Sequence, residues 1–188
     1  MALTQYNTAT TIDGFIADEN NSLDWLFRVE AEGTRDRFAE FLAGVGAMAM
    51  GATTYQWVLD HERVLDDPAK WKSWYGERPS WVFTHRELPP IPGADVRFVR
   101  GDVRPVHAEM VEAAGGANVW LVGGGELVGQ FADHGLLDEI IIGIAPVTLG
   151  AGAPLLPRRL DGVLELTSAE VINKAFVEVR YRVRRDGA

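Results

Sequence analysis

Val119-Trp120-Leu121-Val122-Gly123-Gly124-Gly125-Glu126-Leu127-Val128 is the stretch on which the reading of this chain turns. A short apolar strand runs straight into three glycines, and Leu127, Val128 and Phe131 follow at helical spacing. Three glycines permit positive φ and remove every side chain that would keep an anion off the backbone. The free N–H groups of a helix start then face that anion, with the positive end of the helix dipole behind them. Taken alone, the segment reads equally well as a tight turn with no ligand. Glu126, Leu127 and Val128 break both the dinucleotide G-x-G-x-x-G pattern and the P-loop pattern, so neither is predicted.

Working outward, Met50-Gly51-Ala52-Thr53-Thr54-Tyr55 is a second strand-to-turn-to-helix element. Thr53 or Thr54 there is either a plain helix cap or a hydroxyl donor to a phosphate. Two such elements together suggest a pyrophosphate held between two helix N-termini.

The remaining pattern supplies the frame. A first strand spans about Leu3 to Thr10, and a loop carries Asp13-Gly14 and Asn20-Asn21. Helical spacing of Phe38, Phe41, Leu42 and Val45 predicts a helix from Thr34 to Val45 with Gly46 as its stop, then a buried strand Ala47 to Met50. Leu59 to Pro79 carries no assignable period. Strands follow at Ser80–Thr84 and Val96–Val99. Asp102 then caps a helix with Pro105 in its first turn, Val106, Met110 and Ala113 inward, and Gly115-Gly116 at its end. Glu139 to Ala145 is a further buried strand. Leu164–Ile172, an Asn173-Lys174 turn and the alternating Val177, Val179, Tyr181 and Val183 form a terminal antiparallel hairpin. The expected fold class is α/β: a mixed, mostly parallel sheet, three-layered α/β/α, closed by that hairpin.

At 188 residues, 47% hydrophobic and 24% charged, the chain suits one domain spanning residues 1–188. No apolar run reaches the roughly 18 residues of a membrane span. The Met1-Ala2-Leu3-Thr4-Gln5-Tyr6 start has no signal-peptide character, so a cytoplasmic location is expected. The absence of cysteine excludes disulfides, thiol catalysis and cysteine-ligated metals. His61, His85, His107 and His134 are dispersed, so no metal site is expected. His107-Ala108-Glu109 mimics a deaminase motif without its cysteines and reads as the outer face of a helix. His134, beside Gly135, is placed at a helix C-terminus. A net charge of -9 argues against nucleic-acid binding. Arg158-Arg159 and Arg180, Arg182, Arg184 and Arg185 read as solvated face and tail.

Thr11-Ile12-Asp13-Gly14-Phe15-Ile16-Ala17, Gly51-Ala52-Thr53-Thr54-Tyr55 and Val122-Gly123-Gly124-Gly125 leading to Gln130-Phe131 stand in a characteristic order. Asp138-Glu139, Pro146 and Leu149-Gly150-Ala151-Gly152 extend it. With these motifs the chain resembles the dihydrofolate reductase-like superfamily. More closely it resembles the reductase domain of riboflavin biosynthesis and its stand-alone bacterial relatives. The resemblance implies a reductase using NADPH, or NADH, on a small heterocyclic (pterin-, flavin- or pyrimidine-like) or carbonyl substrate. It implies that Gly51, Thr53, Thr54, Val122, Gly123, Gly124, Gly125, Glu126 and Leu127 surround the cofactor's phosphates. Ala9, Ile16 and Ala17 would lie against the nicotinamide. Thr84, His85 and Arg86 would reach the adenosine phosphate, with Arg86 as the basic residue for a 2′-phosphate. Ala52 stands where dihydrofolate reductases carry a basic residue. The early helix has no unambiguous counterpart of their folate-binding carboxylate, since counting back from Phe38 lands near Thr34 with Asp36 two residues away, and Asp66-Asp67-Pro68 is a displaced version of the riboflavin enzyme's aspartate run. Folate reduction is therefore not expected.

For the proton that accompanies a hydride, Asp13 and Asp24 are the candidates, since a carboxyl in an apolar pocket can have a raised pKa. Their plain readings are a turn residue and a helix cap. Trp57, Trp71 and Trp74 line a substrate pocket, a dimer contact or simply the core. The relatives imply a homodimer, and the C-terminal strands are suitable interface material. A rival reading is a dinucleotide-binding homodimeric scaffold without turnover.

Overall fold

The computed structural model describes residues 2–29 and 34–184. Along the chain the elements are β1 (Thr4–Thr11), β2 (Phe15–Ala17), α1 (Asp24–Phe27), α2 (Thr34–Ala43), β3 (Val45–Gly51), α3 (Ala52–Glu62), α4 (Ala69–Tyr75) and β4 (Ser80–Phe83). There follow β5 (Val96–Val99), α5 (Val103–Ala113), β6 (Asn118–Gly123), α6 (Gly125–Asp133), β7 (Glu139–Ala145), β8 (Ala153–Pro154), β9 (Glu165–Ile172) and β10 (Phe176–Arg182). Eight strands form one sheet in the order β5-β4-β3-β6-β1-β7-β10-β9, while β2 and β8 pair separately. The pairs from β5 to β7 are parallel, and β10 is antiparallel to both β7 and β9. This is the expected mixed sheet with a closing hairpin.

Both faces of the central strands are buried, which is why they read as continuous apolar runs rather than alternations. Ala47 and Ala49 of β3 and Val119 and Leu121 of β6 face a layer built on Val103, Val106 and Met110 of α5 and Leu127, Val128 and Phe131 of α6. Met48, Met50 and Trp120 face the other layer, built on Leu42, Tyr55, Val58, Leu59 and Trp71. Each such buried side chain contributes about 1.5–3 kcal/mol of burial. Arg78 fastens the second layer: it donates to Leu42 O at 2.6 Å, Val45 O at 2.7 Å and Tyr75 O at 2.7 Å, across the ends of α2 and α4. A cation over helix C-termini is favourably placed.

Several expected boundaries move. The helix expected to Val45 ends at Ala43, and Val45 and Gly46 open β3 instead. Gly46 is no stop signal; a Cβ there would collide with the backbone of Ala114, so the glycine admits a close approach of α5's end to the sheet. Ala113 is exposed, and the inward residue of that turn is Ala114. The Asp102 cap is present, accepting from Arg104 N at 2.9 Å. The unassigned stretch holds the end of α3 and all of α4. His107 is half-buried rather than on an outer face: its Nε2 is hydrogen-bonded to Thr4 Oγ1 at 2.7 Å. Among the described residues no helix is long and apolar enough to cross a membrane.

Candidate functional site

The C-terminal ends of the parallel strands are where open α/β sheets place their ligands. Here β3, β4, β5 and β6 deliver their following turns to one cleft of about 930 Å³. Its floor is made by two helix starts. Gly51, the cap of α3, has φ -79 and ψ 162; Gly124, the cap of α6, has φ -81 and ψ 174. Neither helix has a side-chain cap, whereas α5 is capped by Asp102. The first-turn N–H groups of α3 and α6 are therefore left for something else to satisfy.

The glycines divide the work between them. A Cβ on Gly124 would meet nothing within 4 Å, so the space above it is open. A Cβ on Gly51 would lie 3.8 Å from Gly124 N, which shows how closely the two helix starts approach. At Gly125 a Cβ would meet Leu155 O at 2.5 Å and Pro154 O at 2.6 Å. That glycine exists to let the segment after β8 close against α6, and the buried Tyr6 hydroxyl holds the same segment by donating to Leu155 O at 3.0 Å. The Gly123–Gly124 peptide is cis.

Along the cleft, Thr53, Thr54, Val122 and Gly123 to Leu127 line the middle. Thr8, Ile16, Ala17, Asn21, Leu23 and Trp57 line one end. Thr84, His85 and Arg86 line the other, joined by Arg100 and Gly101 from the end of β5. The buried Thr84 sets the turn: its Oγ1 accepts from Arg86 N at 2.9 Å and donates to Arg86 O at 3.0 Å. Neither Arg86 nor Arg100 has an ion-pair partner among the described residues. The Glu126 carboxylate is engaged by Arg158, whose Nη1 donates to Oε2 at 2.9 Å. Arg158 is accordingly no solvated cation. It also reaches Asp133 at 3.1 Å and lies against Gly129.

Three sequence-predicted residues stand apart from the cleft lining. Thr8, not Ala9, lines it; Ala9 packs beside the Trp25, Ile172 and Phe176 cluster on the opposite face. Asp13 closes a loop: its carboxylate accepts from Thr11 Oγ1 at 2.5 Å, Gly150 N at 2.7 Å and Leu149 N at 3.0 Å. The Thr11 hydroxyl first, and the Gly150 amide after it, hold this carboxyl below its ordinary range, the direction opposite to that needed by a proton donor at neutral pH. Asp24 is exposed at the start of α1, with Leu23 rather than Asp24 on the cleft. Sequence reading missed Thr8 and Arg100. Arg100 follows directly on β5, and it reaches the cleft because β5 lies parallel beside β4.

The sequence matches the model of the family described as RibD C-terminal domain over residues 55–177. The uncharacterized protein YwjB of Bacillus subtilis (strain 168) is 33% identical over 147 residues, 78% of this chain and 78% of YwjB. Among solved structures, a protein from Shewanella sp. PV-4 provisionally named for riboflavin biosynthesis superposes with a TM-score of 0.78 at 27% identity, covering 98% of this chain and 100% of the other. Dihydrofolate reductase from Enterococcus faecalis, complexed with NADP(H), superposes with a TM-score of 0.66 at 14% identity, covering 97% of each chain, a likeness of fold alone.

Proposed function

The chain belongs to the RibD C-terminal domain family, and on that premise and the cleft's geometry we propose that it is a cytoplasmic, single-domain reductase with NADPH as its reductant. The observation that carries the reading is the pair of helix starts, both capped by glycine and both without a side-chain cap, opening on one cleft. The residues fit a dinucleotide: Gly51, Thr53, Thr54 and the N–H groups of Gly125, Glu126 and Leu127 would hold the pyrophosphate. Arg86 and Arg100, two guanidinium groups without ion-pair partners, would take an added 2′-phosphate, which favours NADPH over NADH. His85 would flank them. The Enterococcus reductase with bound NADP(H) shares the fold and supports the same cofactor.

A reduced nicotinamide bound there supplies a hydride. The chain's own part is to orient the reacting partners and keep water from them. Ile16 and Ala17 give an apolar wall, and β8 covers it by pairing Ala153 with Ala17. The titratable side chains of the cleft lining are His85, Arg86, Arg100 and the Arg158-bound Glu126. With none of these in the Thr8 to Trp57 end, the proton reaches the substrate from water rather than from Asp13 or Asp24. The substrate class is a small planar heterocycle or carbonyl compound.

Self-association is part of the same proposal. A register shift between Arg180 and Tyr181 brings Leu166 onto the face that also carries Ala169, Val171 and Val177. On the outermost strand Leu166 is 55% and Val171 72% exposed. Packing this face of β9 against the same face of a second copy would cover both, and sedimentation at micromolar concentration reads it: a monomer there refutes it.

NADPH oxidation followed across a panel of pterins, flavins and pyrimidine amines tests the function. Oxidation with at least one of them, absent from a Gly51→Asp variant, is the expected result. NADPH binding with no oxidation across the panel favours a dinucleotide-binding scaffold.

A further inference from the structure

A second cavity of about 290 Å³ lies between α2, α3 and α4. It is lined by Phe38, Ala39 and Leu42 of α2, Trp57, Val58 and Glu62 of α3, and Ser73, Trp74 and Tyr75 of α4. Trp57 also lines the large cleft, so its ring stands between the two spaces. Two further rings brace it from outside. His61 stacks on Trp57 with centroids 4.4 Å apart, and Phe27 stacks on His61 at 5.2 Å.

The walls are aromatic and aliphatic, and one full charge sits among them. The Glu62 side chain is 31% exposed, and among the described residues its one ion-pair contact is His61 Nε2 at the outer limit of 4.0 Å. Neither the Tyr75 hydroxyl nor the Trp74 indole N–H has a hydrogen-bond partner among the described residues. Burial first and the Glu62 charge second push the Tyr75 phenol up to about 12, which sets that carboxylate within electrostatic reach of the ring. Aromatic faces around a carboxylate are the surroundings that attract an organic cation: the ring quadrupoles and the negative charge act in one direction. The same carboxylate repels a phosphate or a carboxylate.

We propose that this cavity is an amine subsite, which takes a protonated amine on a ring-sized apolar arm of the substrate while the reducible head lies in the cleft beyond Trp57. The proposal rests on the reductase reading for the word substrate, and it narrows that reading: the arm is cationic and not phosphorylated. The size agrees, since about 150 Å³ already holds a benzene ring. An arm passing Trp57 would join the two spaces in a single ligand.

Benzylamine and benzyl alcohol are the probes, titrated by saturation-transfer NMR into the intact chain at neutral pH without cofactor. Benzylamine is expected to bind saturably, with the alcohol about fivefold weaker or more. Glu62→Gln is expected to bring benzylamine down to the level of the alcohol. Ala39→Phe, which fills the cavity from an exposed position of α2, is expected to remove both signals while the melting temperature stays near wild type. Equal binding of the two probes overturns the proposal, as does benzylamine binding that survives Glu62→Gln. NADPH is titrated separately, so the two failures are distinguishable: NADPH binding without amine binding removes the subsite alone, and amine binding without NADPH binding removes the reductase reading and its substrate.

Discussion

Replacing Gly51 by aspartate is expected to make the protein more stable and at the same time unable to hold a dinucleotide. Gly51 has φ -79 and ψ 162, extended geometry that any residue adopts. Its hypothetical Cβ makes ordinary contacts, 3.8 Å to Gly124 N and 3.9 Å to Gly123 O. A carboxylate built from that point can accept from the N–H groups of Thr53 or Thr54, as aspartate does at a helix cap, for a gain of a few tenths of a kcal/mol over glycine. Its charge also sits by the positive ends of α3 and α6, worth about 0.3–1 kcal/mol at each. The sum, about 1 kcal/mol, corresponds to a rise of about 2–4 °C in melting temperature for a chain of this size. The introduced carboxyl has a depressed folded-state pKa, so the gain is present above its unfolded value and is lost as pH falls through the folded one. A bound pyrophosphate loses at least two charge-assisted hydrogen bonds of about 1.5–3 kcal/mol each to the new side chain. Affinity should therefore fall by at least about 100-fold. Scanning calorimetry and an NADPH fluorescence titration read the two effects. NADPH affinity within about threefold of wild type, in a protein that remains folded, would refute the cradle.

Other expectations follow from the same geometry. Arg86→Ala and Arg100→Ala should each weaken NADPH about tenfold or more while leaving NADH nearly unchanged, as measured by parallel titrations; equal losses for both nucleotides would place these cations elsewhere on the ligand. Asp13 contributes stability above the ordinary carboxylate range and loses it as pH falls through its depressed folded-state pKa. Asp13→Asn should therefore flatten the acid limb of the stability profile and leave turnover intact, and a loss of turnover would restore Asp13 as a proton donor. Arg78→Ala strips three carbonyls of their donor and should cost about 2–4 kcal/mol by urea unfolding, with NADPH affinity kept.

The glycine turns were legible from sequence because their chemistry is local: glycine after a buried strand and before a helix leaves few other readings. β7 was legible because an isoleucine run buried on both faces has nowhere else to go. Val45 misled because it satisfies the spacing of Phe38, Phe41 and Leu42 as well as the needs of a central strand. α4 escaped notice although Trp71, Trp74 and Tyr75 stand at helical spacing, because a seven-residue helix is too short to repeat the period. Ala9 and Thr8 differ by one position in a strand, and one position reverses the face. Arg100 enters the cleft only because β5 lies parallel beside β4, a tertiary fact that its own neighbours in sequence do not carry.

Calorimetric titration of the wild-type protein with NADPH and with NADH shows whether the cleft holds a dinucleotide. Saturable NADPH binding is expected, tighter than NADH by about tenfold or more through the Arg86 and Arg100 end of the cleft. If neither nucleotide binds, the reductase reading falls and the two uncapped helix starts serve some other anion.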